Sequence, residues 1–256
     1  MRFWQSTAGW PIGRMTELAR TAEESGLTGL TIPAHPVYAP HASPAAWLEP
    51  WAVAVLLSAG TSRLRFLSSV HLGSLADLFT GAKQVSTAAV LSGGRVAAGV
   101  RSGWCADDPG VVDPRVRAGR LAELLPLLGE LLTGRPVTHA GEHFAFDTVS
   151  LAPVPAEPVP LYAGGHSDEA LQRAARTAAG WLGTLPAAPD DLVLLNRLRQ
   201  HIDRAGRSPG DFEVIVGLPA GAGPDIWARY AAAGVTGFVR AASTEPLEDL
   251  RAFARA

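Results

Sequence analysis

The chain has 256 residues, 47% hydrophobic and 18% charged, enough apolar material for a core of full domain size. Lys plus Arg total 22 against 24 Asp plus Glu, so a formal charge of −2 offers no basic excess for nucleic acid or an anionic membrane. Cys105 is the one cysteine, which excludes an internal disulfide and a cysteine-rich metal centre.

The longest unbroken apolar run, Trp51 to Leu57, falls far short of the roughly 20 residues that span a bilayer. The polar, glycine-containing opening has no secretory pattern, so a soluble cytoplasmic protein is expected. Basic charge is almost all Arg, with Lys83 the single lysine.

One unit recurs along the chain: an amphipathic helix, a glycine stop, a short apolar strand and a polar loop. After a first strand at Arg2 to Gln5, Met15, Leu18, Ala19 and Ala22 fall at helical spacing, and Gly26 stands where a cap belongs. Strand Leu30 to Ile32 follows. The second cycle runs from Pro44 through Trp51, Val55 and Leu56 to Gly60, then into Leu64 to Val70. The third sets Phe79, Ala82, Val85 and Ala89 on one face, stops at Gly93-Gly94, and leads to Val96 to Val100. A fourth helix, about Val116 to Leu132, ends at Gly134.

Val137 to Phe146 reads as a hairpin turning at Ala140-Gly141, and the proline-rich stretch from Pro153 to Pro160 as an extended strap rather than a linker. Strand–helix alternation then resumes. Strand Leu161 to Ala163 precedes helix Ser167 to Ala179, and strand Trp181-Leu182 precedes helix Asp191 to Ala205. Strand Phe212 to Leu218 precedes helix Asp225 to Ala233, and strand Phe238-Val239 precedes a closing helix from Pro246. Two units share wording, Ser25-Gly-Leu-Thr-Gly-Leu30 and Ala233-Gly-Val-Thr-Gly-Phe238. Eight strand–helix units in about 250 residues predict an α/β fold, a single (β/α)8 barrel domain over 1–256. The alternative, an open dinucleotide-binding sheet, lacks its Gly-x-Gly-x-x-Gly turn after the first strand.

In such a barrel the chemistry lies at the C-terminal strand ends. Those ends carry Ser6, Thr7, Ala34, His35, Ser69, His71, Arg101, Ser102, Gly164 to Ser167, Thr184, Leu218 and Arg240. The set has no acidic centre and no metal-ligand cluster, so no metal is expected and a cofactor seat is. His139 and His143 have zinc-like spacing, but Ala140-Gly141 breaks the helix that would align them. Cys105 stands beside Asp107 and Asp108, whose charge disfavours a thiolate nucleophile. Gly164-Gly165-His166-Ser167 follows a strand and opens a helix, an arrangement suited to a phosphate. A plain turn with Ser167 as N-cap fits as well, since Asp168 and Glu169 repel an anion. His35, at the second strand's exit, suits a titrating role beside a ligand.

The segment Ala82-Lys-Gln-Val-Ser-Thr-Ala-Ala-Val-Leu-Ser-Gly-Gly-Arg95 resembles the third helix of the luciferase-like flavin-dependent oxidoreductases. The match continues through Glu49-Pro50-Trp51, Thr61 to Leu64, Gly99 to Trp104, Arg117, Arg120-Leu121 and Glu123. Gly141 to Phe144, Gly164 to Ser167 and Gly180-Trp181 extend it over nearly the whole chain.

The resemblance implies a (β/α)8 barrel that binds reduced FMN or, alternatively, the 8-hydroxy-5-deazaflavin type of coenzyme. The phosphate would lie at Gly164, Gly165, His166 and Ser167, the ring at the third-strand bulge of Ser69 and Val70, and Arg101, Ser102 and Gly103 on the phosphate side. His35 is the expected catalytic residue. The first expectation is a non-luminescent monooxygenase using reduced FMN and oxygen on a small organic substrate, with a separate flavin reductase as possible supplier. The second is deazaflavin-dependent hydride transfer, and the third a non-catalytic flavin-binding barrel. Ala34 replaces a family acid or histidine, Ala76-Asp77-Leu78 replaces a frequent Arg-His-Pro, and Trp104 stands where sugar-phosphate dehydrogenases carry an acid. A homodimer is expected from the resemblance and from the apolar third and fourth helices, with Leu124, Leu127 and Leu128.

Overall fold

A computed structural model describes residues 1–34, 48–72, 77–101, 113–186, 188–218, 222–241, 250 and 253; of 70–72, 114 and 209 it describes the backbone alone. In chain order come β1 (Arg2–Ser6), α1 (Met15–Glu24), β2 (Gly29–Pro33), α2 (Pro50–Ser58), β3 (Arg65–Leu72), α3 (Leu78–Leu91), β4 (Val96–Arg101) and α4 (Pro114–Leu131). The hairpin β5 (Val137–Ala140) and β6 (Ala145–Val149) follows, then β7 (Leu161–Ala163), α5 (Asp168–Thr177), β8 (Gly180–Thr184) and α6 (Asp190–Arg204). Last come β9 (Glu213–Gly217), α7 (Pro224–Ala232) and β10 (Gly237–Arg240).

Eight strands close into a parallel barrel in the order β1-β10-β9-β8-β7-β4-β3-β2, and β2 pairs with β1 to complete the ring. The antiparallel pair β5-β6 stands outside it. Because side chains alternate along a strand, each barrel strand serves two cores. Trp4, Leu67, Ala97, Tyr162, Leu182, Ile215 and Val239 pack together inside the barrel. Their neighbours Leu30, Phe66, Val96, Ala98, Val100, Trp181, Val214, Val216 and Phe238 face the helices.

The repeated Gly-x-Thr-Gly wording has one structural purpose at both places. Thr28 Oγ1 accepts the backbone N–H of Phe3 at 3.1 Å, and Thr236 Oγ1 accepts that of Val214 at 2.9 Å. Each threonine thus satisfies the entering end of an adjacent strand, where a ladder bond is missing.

The segment most specific to the family resemblance, Leu91 to Arg95, lies at the opposite end of the barrel from the strand exits. Arg95 donates to the carbonyls of Ser92 at 2.8 Å, Ser58 at 2.8 Å and Leu64 at 3.3 Å, and to Thr61 Oγ1 at 3.0 Å. One guanidinium therefore satisfies orphan carbonyls at the ends of α2 and α3 together. The Glu23 carboxylate complements it by accepting the N–H groups of Ser62, Arg63 and Leu64 at 2.9, 2.5 and 2.8 Å.

The stretch before β7 is a strap and not a linker, since β7 enters the same barrel. Lys83 Nζ and Ser86 Oγ donate to the carbonyls of Ala152 and Pro153, fastening the strap to α3. Helix starts are capped by side chains: Glu49 accepts from Ala52 N at 2.7 Å, Asp77 from Thr80 N at 2.8 Å and Asp113 from Arg115 N at 2.8 Å.

Three expectations change. The second helix begins at Pro50, after its Glu49 cap, while the expected start at Pro44 lies outside the described residues. Phe79 is 41% exposed, because Leu78 takes the inward position and Phe79 sets its ring edge-on to Phe146 of the hairpin, 5.1 Å away. Leu124, Leu127 and Leu128 are buried in the chain's own core, so they give no argument for a partner.

Candidate functional site

The strand exits form a bowl. Pairing partners share a face, so Ser6, Pro33, Ser69, Arg101, Gly164, Thr184 and Gly217 ring the mouth above the apolar floor of Trp4, Leu67, Leu182, Ile215 and Val239. All but Arg101 are small. Such a ring leaves room for a flat ligand, and Arg101 places one cation in it.

The third-strand bulge that the resemblance implies at Ser69-Val70 is present. β3 pairs Ser68 with Ala98 but His71 with Val100, so β3 spends one extra residue there. Ser68 Oγ accepts the Gly99 N–H at 3.2 Å inside the sheet, filling the gap that the slip opens. Ser68 is the residue the sequence reading missed; a serine pair midway along an apolar strand was its only signal.

Gly164 and Gly165 make the turn out of β7. A Cβ on Gly164 would sit 2.9 Å from the Leu182 carbonyl and 3.4 Å from Arg101 Cβ. Gly165 has φ +122°, and a Cβ there would meet Ala170 Cβ at 2.7 Å. Both positions therefore exclude side chains, and backbone is what the turn presents. The Trp181 indole, buried on the outer face of β8, donates to the Gly165 carbonyl at 2.8 Å.

Ser167 caps α5, its Oγ accepting from Ala170 N at 3.2 Å. The two acids that follow are engaged. Asp168 takes Arg197 at 2.8 Å and His201 at 3.3 Å, and these partners hold its carboxyl below the usual range. Glu169 is held low by its own backbone N–H and then by the Ser167 hydroxyl. The anion repulsion expected from this pair is thereby reduced, while Glu169 draws on the same donors a phosphate would use.

His166 is exposed, its ring 5.9 Å from that of Trp181. Partial desolvation first, then the charges of Arg101 and Arg197, push its pKa down, partly offset by the nearby Thr184 backbone.

Arg117, in the first turns of α4, is only 8% exposed, and its buried Nε has no hydrogen-bond partner among the described residues. A buried guanidinium nitrogen without a partner carries a desolvation cost. Glu123, two turns further on, joins two motifs that the sequence shows twenty residues apart. Its carboxylate accepts the N–H groups of Glu142 at 3.0 Å, His143 at 3.1 Å and Phe144 at 3.1 Å, with His139 Nε2 at 3.3 Å. The His139 and His143 pair thus belongs to a hairpin latch, and no group of metal-ligating side chains occurs among the described residues.

His35, Ser102 and Gly103 lie outside the described residues, as do Trp104 and Cys105; for Val70 and His71 the backbone alone is placed. What the structure does bring together is Arg101, Gly164, Gly165, His166 and Ser167, with Ser69 across the mouth on β3.

A closed ring of eight parallel strands with its small-residue mouth at the strand exits defines a (β/α)8 barrel. The family profile described as luciferase-like monooxygenase matches residues 2–254, and the chain belongs to that family. Among relatives, a protein of Mycobacterium tuberculosis is 32% identical over 234 residues, 84% of this chain and 81% of that one. An F420-dependent glucose-6-phosphate dehydrogenase of Nakamurella multipartita is 31% identical over 216 residues, 79% of this chain and 61% of the enzyme. Of solved structures, an F420-dependent secondary alcohol dehydrogenase in complex with an F420-acetone adduct superposes with a TM-score of 0.84 at 16% identity, over 99% of this chain and 97% of that one. No helix among the described residues is long and apolar enough to cross a membrane.

Proposed function

We propose that this oxidoreductase uses the deazaflavin coenzyme to move a hydride to or from a small organic substrate. The observation that carries a cofactor of this kind is the mouth itself: small residues over an apolar floor, beside a two-glycine turn against which Arg101 packs. The choice of deazaflavin over FMN reverses the order expected from sequence, and rests on the relatives whose descriptions name F420.

The residues fit such a group. Gly164 and Gly165 would let backbone approach a phosphate, with Ser167 and Arg101 flanking it, and Arg117, in the first turns of α4, is proposed as a further cation for it. The bulge between Ser68 and His71 offers backbone at the edge of the ring. When bound, the deazaflavin supplies a carbon that accepts or gives a hydride. The chain's part is to hold the ring over the dry floor, keep water from it, and move a proton at the substrate oxygen, the role assigned to His35.

Incubating the full chain with oxidised deazaflavin coenzyme and a panel of small alcohols tests the reading. Loss of the coenzyme's visible absorbance, with carbonyl product in equal amount, is the expected result. No bleaching with any donor, alongside oxygen uptake with reduced FMN, would overturn it.

That second outcome is the FMN monooxygenase reading, which the family's description supports and which needs a flavin reductase as supplier. Turnover with either cofactor eliminates a non-catalytic barrel. A homodimer remains the proposed assembly, now with exposed Leu56 and Leu91 as its apolar residues. Sedimentation showing monomer alone at micromolar concentration would reject it.

A further inference from the structure

We propose that the groove at the strand-entry end of the barrel is a second anion site, one that takes a small molecule carrying a diphosphate. It lies at the opposite end from the cofactor seat, and the inference stands apart from the cofactor reading.

The groove is open, with a volume of about 710 Å³, and runs between the loop that enters β3 and the loop that joins α3 to β4. The first loop gives it Ser62, Arg63 and Arg65, and the second gives it Ser92 and Arg95. Among the described residues, three guanidiniums line it and no carboxylate does. Gly93 and Gly94 form one wall, and a Cβ on either would meet nothing within 4 Å, so that side stays low. This is the segment most specific to the family resemblance, and the chemistry at the strand exits leaves it unused.

The three arginines are not equivalent. Arg95 is anchored by its bonds to Ser58, Thr61, Leu64 and Ser92. Those bonds already close the ends of α2 and α3, so Arg63 and Arg65 are not needed for that task. Arg65 is half-buried and Arg63 exposed. Among the described residues, neither guanidinium has a hydrogen-bond acceptor or an ion pair. Two acids near this end are already engaged. Glu23, on which the Arg63 charge acts, accepts the N–H groups of Ser62, Arg63 and Leu64, and Glu213 pairs with Arg2.

That chemistry selects the ligand. The N–H groups of Gly93 and Gly94 are spent on the carbonyls of Val90 and Ala89 at 3.2 and 2.8 Å, so the donors left are side chains. A guanidinium fork offers parallel N–H bonds to the oxygens of a phosphate. Two such forks stand on one loop and an anchored third on the other, so two linked phosphates can be shared between the walls. The volume falls in the range of small-molecule clefts, roughly 300–1,000 Å³, and exceeds what one phosphate fills. The polar lining suits a charged ligand, and the concavity suits a small molecule better than a flat protein face.

The experiment is calorimetric titration of the full chain with inorganic pyrophosphate, and separately with inorganic phosphate, near neutral pH and at low ionic strength. The strand-exit mouth also carries an arginine, so Arg101→Ala is included to separate the two ends. A pyrophosphate site is expected that persists in Arg101→Ala, binds at least about tenfold more tightly than phosphate, and weakens as salt is added. Arg63→Gln and Arg65→Gln are each expected to weaken it at least about tenfold. Arg63 is exposed, so its variant keeps the fold even if Arg65→Gln does not. Absence of binding, binding unchanged in Arg63→Gln, or binding lost in Arg101→Ala overturns the inference. Equal, weak affinity for phosphate and pyrophosphate means an adventitious ion only, and overturns it too, as does tighter binding of a polyglutamate peptide. None of these outcomes decides the cofactor reading, which has its own titration.

Discussion

The indole N–H of Trp181 donates to the carbonyl of Gly165 at 2.8 Å, across 16 residues of chain, and so fixes the turn out of β7 from the neighbouring strand. The ring is fully buried and also backs His166. Trp181→Phe keeps most of the bulk and deletes the donor. It should cost about 1–3 kcal/mol in denaturant unfolding, from the carbonyl left unpaired, and weaken cofactor binding about tenfold by freeing the turn. Equal stability and affinity for Trp181→Phe and wild type would show that the bond does not hold the turn.

Arg117 separates a functional from a structural charge. Arg117→Met should raise the stability of the cofactor-free protein by about 1 kcal/mol, since a buried under-partnered cation becomes apolar. The same change should reduce cofactor affinity at least about tenfold. Arg101→Ala should lose affinity as well, without the gain in stability. If both variants bind cofactor as tightly as wild type, neither arginine serves the phosphate.

Acid lability should be visible in the Glu123 latch. Burial works against the charged form, but His139 and the N–H groups of His143, Phe144 and Glu142 outweigh it, so the carboxyl titrates below its usual range. A depressed pKa gives stability that is present above the unfolded value, about 4.3, and is lost as pH falls through the folded one. Glu123→Gln should therefore lower the melting temperature near neutrality and flatten its decline below about pH 4.3. A variant with the wild-type acid profile would show that the latch carries no such linkage.

Much of this was legible in the residues. Each glycine-stopped helix and its strand appeared in order, because the period switches from 3.6 to about 2 within a few residues and the stops are chemically explicit. The Gly164–Ser167 turn was legible for the same reason. What escaped was long-range satisfaction of polar groups. Nothing local to Arg95 says that it closes α2 and α3, or that Glu123 is the acceptor for Glu142 to Phe144, because the partners meet only in the folded barrel. The burial of Leu124, Leu127 and Leu128 was ambiguous because a helix with apolar residues on more than one side has two possible neighbours, its own barrel or a second chain.

His35 stays the expected proton carrier at the exit of β2, outside the described residues. His35→Ala should keep fold and cofactor affinity while lowering turnover at least about 10²-fold, the lower range for general acid–base help. His71, next to the β3 bulge, is the competitor. Normal turnover in His35→Ala with loss in His71→Ala would transfer the role.

The central claim, a deazaflavin seat at the strand exits, is tested most directly by fluorescence titration of the full chain with deazaflavin coenzyme and with FMN under identical conditions. The account predicts that deazaflavin binds at least about tenfold more tightly than FMN, a difference of about 1.4 kcal/mol, and that Gly165→Ala weakens it. Tighter binding of FMN, or deazaflavin binding unchanged by Gly165→Ala, would contradict it.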